Sequence, residues 1–271
     1  MFQIFCFFNQ CFLSHYRYRG AAHNRCNLEY QDAHHIPIIF HNLARYDAHL
    51  FIKQLSTKFS GQISVIPQNK ERYIFFTKRV EGNVISLRFI DSFKFLNESL
   101  EKLASYQPHM EIVDAEFKKD GYSDEQIKLL MRKGVFPYDY VTSLEKLKES
   151  VLPSKDDFYS KLYGSHISDE DYEHAFKMWE NFKCKTIGEY SDLYLKTDVI
   201  ILGNVFENIR EMILKSHKVD PGQFYTLPGV SWDAMLLYTE IILELLTEID
   251  KMLFVEQGKY LIKHVSHPNK N

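Results

Sequence analysis

The sequence is poor in cysteine and has no long apolar run. Its 271 residues include 4 cysteines, whose positions (6, 11, 26 and 184) show no disulfide framework, so we expect a reducing intracellular compartment. No stretch approaches the roughly 18 apolar residues that a membrane helix needs. The apolar start MFQIFCFF lacks a basic leading region. We therefore expect neither a secretory signal nor a membrane-spanning segment.

A large excess of charge of one sign is also missing. The net charge is −3, which predicts no uniform basic face, so any contact with DNA has to use a local groove. Apolar and aromatic residues are abundant instead. Hydrophobic residues make up 45% of the chain, with 21 Phe and 17 Tyr, which predicts a sizeable folded core rather than disorder.

The residue pattern predicts an α/β fold. Residues 35–42, HIPIIFHN, form a short apolar run that predicts a buried strand, and Asp47 to Leu55 predicts a helix. An antiparallel meander is expected next, because turn residues such as Gly82 separate strand-like runs. The runs of the meander are Gln62 to Ile66, Arg72 to Val80, and Val84 to Ile90.

The chain after Asp91 predicts helices. Capping sequences predict three helix starts, and Gly134 is the expected stop of the first helix. These starts are SDEQ at Ser123, SDED at Ser168 and TIGE at Thr186. The third helix is predicted to run to about Leu214, and a final one from Trp232 to Asp250.

Two carboxylates are candidate metal ligands. Asp47 ends the run FHNLARYD, between a strand and a helix, where it could reach a metal ion; alternatively, it complements the helix dipole. Asp198 ends the run YLKTD, and Tyr194 shares its helix face because the two are four residues apart. The alternative for that pair is an ordinary tyrosine and aspartate on an amphipathic helix.

Two further segments could contact a nucleic acid. Ser92 and Phe93, in DSFKFL, could hold a single strand by hydrogen bonding and stacking. Alternatively, Phe93 belongs to the core and Ser92 caps the next helix. Lys133, in KGVF, could neutralise charge that develops on a phosphate, or it is a basic residue in the last turn of a helix.

Together these segments resemble protein-primed family B DNA polymerases. FHNLARYDAHLFI resembles the second exonuclease motif of that family, and YLKTD resembles the third. Between them, DSFKFL is similar to the single-strand-binding motif and KGVF to the lysine motif. All four segments occur in the order that the family has. The resemblance is greatest to the polymerases of large self-synthesising eukaryotic transposons (Maverick/Polinton) and related viruses. It extends from about residue 19 to about residue 258 and includes RKGVFPYDYV and LPGVSWDAMLLYT.

The resemblance implies a function in DNA replication and a role for each residue. The family is a DNA-directed DNA polymerase, a nucleotidyltransferase, with an RNase H-like 3′→5′ exonuclease domain that uses two Mg²⁺ or Mn²⁺ ions. Asp47 and Asp198 would help to hold the metal ions, Tyr194 would position the attacking water, and Lys133 would assist at the phosphate. Asn42, Ser92 and Phe93 would hold the 3′ end of single-stranded DNA. A terminal priming protein is a further implied partner.

The sequence departs from the family at the first exonuclease motif. That motif reads Asp, one residue, Glu on the leading strand, whereas residues 1–41 contain only Glu29 and Asp32 as acids. Met1 to Phe8 could replace the strand but brings no acid, so we expect impaired cleavage. Polymerase motifs such as Asp-Thr-Asp are also not found. A non-catalytic remnant that binds single-stranded nucleic acid is therefore the alternative function.

The N-terminal residues resemble the end of a zinc module. RGAAHNRCN contains His23 and Cys26 at the spacing of zinc ligands, and Cys6 and Cys11 could complete a four-ligand site. The usual pair of cysteines separated by two residues is missing, so Zn²⁺ is not the expected cofactor. The resulting domain organisation is an irregular segment over 1–34, the exonuclease-like domain over 35–215, and a linker with the start of the polymerase domain over 216–271.

Overall fold

A five-stranded mixed sheet lies at the start of the described structure. The computed structural model describes residues 35–44, 47–67, 76–82, 85–241, 248–255 and 257, and the backbone of 5–6 and 73–75. The strands are β1 (Phe5–Cys6), β2 (His35–Phe40), β3 (Ile63–Pro67), β4 (Tyr73–Arg79) and β5 (Ser86–Asp91). Their order across the sheet is β1-β2-β5-β4-β3.

The sheet combines the predicted meander with a parallel pair that the sequence did not predict. Antiparallel pairing of β3 with β4 and of β4 with β5 confirms the meander. Strands β2 and β5 are parallel, and their register pairs Phe40 with Asp91. At the other edge of β2, β1 pairs antiparallel through Phe5 and Ile39, so a part of Met1 to Phe8 does extend the sheet, as the sequence suggested.

The helix α1 (Asp47–Lys58) packs on one face of this sheet. Its Phe51 ring stacks on Phe40 of β2, with 5.2 Å between the centroids, and Phe76 stacks on Phe89 at 4.4 Å. The chain beyond α1 is fixed by a buried lysine: the Lys78 ammonium donates to the carbonyls of Phe59 and Gly61, at 2.6 Å each. A compact aromatic core therefore holds α1 and its exit loop to the strands.

Helices form the rest of the first unit, which extends from Met1 to Val230. They are α2 (Leu100–Ser105), α3 (Glu111–Lys119), α4 (Asp124–Leu130), α5 (Asp169–Asn181) and α6 (Ile187–His217). The predicted caps at Ser123, Ser168 and Thr186 are confirmed, since each side chain accepts a hydrogen bond from the backbone three residues later. Helix α6 packs against α2, α3 and β1.

Two predicted helix limits are wrong. Helix α4 ends at Leu130, with Met131 as its C-cap, so Gly134 is not its stop. The last predicted helix, Trp232 to Asp250, is replaced by α7 (Leu227–Thr239), which starts earlier because a proline such as Pro228 is tolerated in the first turn of a helix.

The second unit runs from Ser231 to Asn271. Within it, the structure describes most of α7 and a helical segment over 249–255. No helix in the described part of the chain is both long and apolar enough to cross a membrane.

A buried histidine on α5 makes the stability of the fold depend on pH. Burial lowers the pKa of His174 from 6.5 to about 4, and the charge of Arg132 adds to this effect. Because the unfolded chain binds the proton more readily, the neutral ring contributes stability fully above about pH 6.5, and this contribution is lost as the pH falls towards 4.

We expect His174→Gln to remove this contribution. Between pH 6.5 and 5 the free energy of unfolding of the parent should fall by up to about 1.4 kcal/mol per pH unit more than that of the variant. Urea unfolding at pH 7.5, 6 and 5 measures both proteins. Parallel pH profiles for the two proteins would contradict the assignment.

Candidate functional site

The carboxylate of Asp91 joins the ends of β2 and β5. The two strands are parallel, so their carboxyl ends lie at the same edge of the sheet. Asp91 is only 2% exposed, and its Oδ1 accepts from the backbone N–H groups of Asn42 (2.8 Å) and Phe93 (3.1 Å). Its Oδ2 accepts from the N–H of Ala44 at 3.1 Å. One buried anion therefore fixes the loops after both strands.

Asn42 has a left-handed backbone conformation in this loop. Its φ is 68°, in a region where asparagine is one of the few tolerated residues other than glycine. The conformation accompanies the hydrogen bond from its N–H to Asp91, and its side chain is half-buried. The requirement for asparagine here is thus partly conformational.

His41 connects the same two loops through its side chain. Its Nε2 lies 2.9 Å from the carbonyl oxygen of Glu98, which can only accept, so Nε2 carries the proton. Its Nδ1 lies 2.9 Å from Ser92 Oγ. Burial lowers the pKa of His41, which favours the neutral ring, so the hydroxyl of Ser92 donates to Nδ1.

Ser92 and Phe93 differ in their exposure. Ser92 is fully buried, whereas Phe93 is half-buried and its ring meets that of His41 edge-on at 5.5 Å. The alternative that Ser92 caps a helix is wrong, because Asp91 caps the 3₁₀ turn that follows and Ser99 caps α2. Phe93 is therefore the residue of this pair that solvent can partly reach.

Asp47 is the first residue of α1 and is half-buried. Burial raises the pKa of its carboxyl group, and the negative charge of Asp91 raises it further. The position is compatible with both predictions, a ligand at the edge of the site and a residue that complements the helix dipole. Arg45 and Tyr46, which precede it, lie outside the described residues.

Tyr194 and Asp198 share a buried face of α6. Both are at most 5% exposed. Burial raises the pKa of the Tyr194 phenol, and the charge of Asp198 raises it further, so the hydroxyl keeps its proton. Its oxygen lies 2.9 Å from the hydroxyl oxygen of Tyr138. The sequence did not identify Tyr138, which brings the turn after α4 to this face.

The turn that carries Lys133 packs on the same face. Gly134 faces the ring of Tyr194 so closely that an added Cβ would lie 3.3 Å from Tyr194 Cδ2, and the ring centroid of Phe136 lies 5.4 Å from that of Tyr194. Because α4 ends at Leu130, the alternative that Lys133 belongs to the last turn of a helix is wrong.

The charge of Lys133 has only a minor effect on the other part of the site. Burial is the main cause of the lowered pKa of His41, the hydrogen bond to Glu98 and the charge of Asp91 oppose it, and the charge of Lys133 adds the smallest contribution. Around Asp91 and His41 the structure brings together Asn42, Ser92 and Phe93; around Tyr194 it brings together Asp198 and the turn of Lys133.

The acids of the described chain do not form a metal site. No group of three or more His, Cys, Asp or Glu side chains that could hold a metal ion occurs in the part that the structure describes. The roles of Asp47 and Asp198 as metal ligands stay predictions of the resemblance. Of the proposed zinc ligands, His23, Cys26 and Cys11 lie outside the described residues, as does the side chain of Cys6.

Local sequence signals could have identified two of the missed residues. Asp91 directly precedes Ser92, and an aspartate at the end of a strand is a common acceptor for backbone N–H groups two residues later. His41 directly precedes Asn42. Tyr138 and Tyr190 had no such signal, because their partners are 56 and 55 residues away in sequence.

We expect Asp91→Asn to destabilise the fold. An asparagine has one acceptor oxygen, and its amide N–H would face at least one of the three backbone donors, which costs about 1–3 kcal/mol of unfolding free energy. Urea unfolding measures this loss. Asp192→Asn, at an exposed position of α6, is the control and should change stability by less than about 0.5 kcal/mol. Equal stability of the two variants would contradict the structural role of Asp91.

Comparison with known proteins identifies the family. The sequence model of DNA polymerase type B, organellar and viral, matches residues 30–260, which is most of the chain. Neither a curated protein nor a solved structure matches it significantly. Members of this family are DNA-directed DNA polymerases, which bind DNA and use divalent metal ions. The matched range includes the ends of β2 and β5 at Asp91 and the face of α6 that carries Tyr194. The chain belongs to the organellar and viral type B DNA polymerases.

Proposed function

We propose that residues 35–215 form an RNase H-like, 3′→5′ exonuclease-like domain of a polymerase that replicates a mobile element, and that this domain holds the 3′ end of single-stranded DNA. The observation that carries the proposal is the junction at Asp91, which brings Asn42, His41 and Phe93 to one edge of the sheet. In this proposal, residues 216–271 begin the polymerase domain. A terminal priming protein stays a prediction of the resemblance.

The exposed part of the Asp91 junction suits a terminal base. The ring of Phe93 is half-buried, and a base of any identity could stack on the part of the ring that solvent reaches. Ser92 is fully buried, so we assign it an indirect role: its hydroxyl orients His41, which lies edge-on against Phe93. The half-buried amide of Asn42 would contribute a polar contact to the same nucleotide.

Lys133 would contact a phosphate of this strand. Its turn packs against Tyr194 of α6, the residue that would position the attacking water. A single lysine can attract one phosphate, and it suits a protein with a net charge of −3, where binding has to be local.

Hydrolysis would be weak in this chain. Asp47, Asp198 and Tyr194 would be the residues involved, with Mg²⁺ or Mn²⁺ as the expected ions, yet the described residues hold no three-ligand group. Both oxygens of Asp91 already accept backbone hydrogen bonds, so we assign this third acid a structural role. Asp47 is also easier to protonate than usual, because burial raises its pKa.

A non-catalytic module that binds single strands is the second candidate function. The observation that favours it is that three backbone N–H groups donate to Asp91. The junction is therefore held by hydrogen bonds within the protein itself. This candidate shares the DNA-binding residues of the first one and differs in the absence of cleavage.

We expect Phe93→Ala to weaken the binding of single-stranded DNA. Loss of one stacking contact of about 1–3 kcal/mol raises the dissociation constant roughly 5- to 150-fold. Fluorescence anisotropy with a labelled oligonucleotide at low salt measures the change. The control Phe176→Ala, at an exposed position of α5, should bind as the parent does.

Two comparisons then test the details of the proposal. A linear oligonucleotide should bind more tightly than a circular one of equal length, because only the linear one has a 3′ end. Incubation with Mg²⁺ or Mn²⁺ separates the two candidates. Trimming of the 3′ end that Asp198→Asn abolishes and Asp192→Asn retains would favour the exonuclease, and binding without trimming would favour the second candidate. Absence of single-strand binding would refute both.

A further inference from the structure

Tyr190 lies on α6 one turn before Tyr194. It is 2% exposed, and its hydroxyl donates to the backbone carbonyl of Val135 at 2.7 Å. Burial raises the pKa of this phenol, so the hydroxyl stays protonated and remains a donor. Tyr190, Tyr194 and Asp198 follow at intervals of four residues, so the face that carries the candidate site extends one turn towards the start of the helix.

The hydrogen bond of Tyr190 joins the turn after α4 to α6, and ring contacts add to it. The ring of Phe136 stacks on that of Tyr190, with 6.2 Å between centroids and 12° between planes. Gly134 lies against Tyr194, where the absence of a side chain permits the close approach. The segment from 134 to 136 is therefore held on α6 by one hydrogen bond and by ring contacts.

The residue before Lys133 contacts a different helix, α5. The guanidinium of Arg132 forms an ion pair with Asp171 of α5 and lies 3.8 Å from a carboxylate oxygen of Glu170. Lys133 thus sits between an anchor on α5 and an anchor on α6.

We infer that Tyr190 is a positioning residue of the DNA-binding site, which aims Lys133 at the strand by fixing the carbonyl of Val135. The inference rests on the proposed function, since it assigns a task to Lys133. Tyr190 itself would touch no DNA, because it is buried. Its effect on binding would therefore pass entirely through the turn.

This inference is distinguishable from a purely structural role. A core tyrosine would affect stability and would change DNA binding independently of Lys133. A positioning residue has an effect that disappears once Lys133 is neutral, because two groups that act through one contact are not additive. A double-mutant cycle with Tyr190→Phe and Lys133→Gln measures this coupling. Both substitutions keep the size of the side chain nearly unchanged.

Binding of a single-stranded oligonucleotide is measured for the cycle at several salt concentrations. Lys133→Gln should lower the slope of log K against log salt concentration by about 0.7, the value for one phosphate contact of a single strand. Tyr190→Phe should weaken binding about two- to tenfold, the effect of one hydrogen bond. In the Lys133→Gln background the same Tyr190→Phe change should have less than about a twofold effect.

Tyr172→Phe is the matched control. Its hydroxyl donates to the carbonyl of Pro153 at 3.1 Å, so the variant loses the same kind of hydrogen bond elsewhere in the unit. It should bind DNA as the parent does in both backgrounds. Thermal unfolding of both phenylalanine variants verifies that each one folds.

The possible outcomes separate the inference from the proposed function. If Lys133→Gln weakens binding and Tyr190→Phe does not, the positioning role of Tyr190 is overturned while the proposed function stands. If Tyr190→Phe weakens binding equally with and without Lys133, its role is structural and the inference is also overturned. If Lys133→Gln leaves binding and its salt dependence unchanged, the phosphate contact fails and the inference fails with it.

Discussion

The buried carboxylate of Asp91 is the interaction on which the candidate site depends. An anion that is 2% exposed has lost most of its water, and three backbone N–H groups take the place of that solvent. Those donors belong to two loops that are distant in sequence. Satisfying one charge thereby determines the left-handed conformation of Asn42 and the turn at Phe93. His41 then joins the same loops through its ring.

Helix α6 supplies the second constraint. Its regular spacing puts Tyr190, Tyr194 and Asp198 on one face, and the segment 134–136 follows that face through a hydrogen bond from Tyr190 and contacts with the ring of Tyr194. The parallel strands and the helix are thus two separate scaffolds. The proposed function needs both scaffolds, because it uses Phe93 of one and Lys133 of the other.

The local part of this architecture could be predicted from the sequence, and the long-range part could not. The strand over residues 35–40, α1, the meander and the caps at Ser123, Ser168 and Thr186 follow from patterns within about ten residues. Pairing of β2 with β5 joins segments some fifty residues apart, and two apolar strands give no signal of direction. The predicted helix end at Gly134 and the predicted helix start at Trp232 were wrong, because glycine and proline are compatible with more than one position near a helix end.

The distribution of acids is the reason for proposing that this chain binds a strand end more readily than it cleaves one. Holding a strand end requires a ring for stacking and one cation, and each can act alone. Hydrolysis with metal ions requires several anionic ligands at fixed distances, and a single missing or diverted acid is enough to weaken it. In this chain three backbone N–H groups use the carboxylate of Asp91 as their acceptor. They also keep that negative charge satisfied beside the proposed strand, where an uncompensated carboxylate would repel phosphate. The interaction that builds the proposed binding edge therefore already uses one of the acids that lie there.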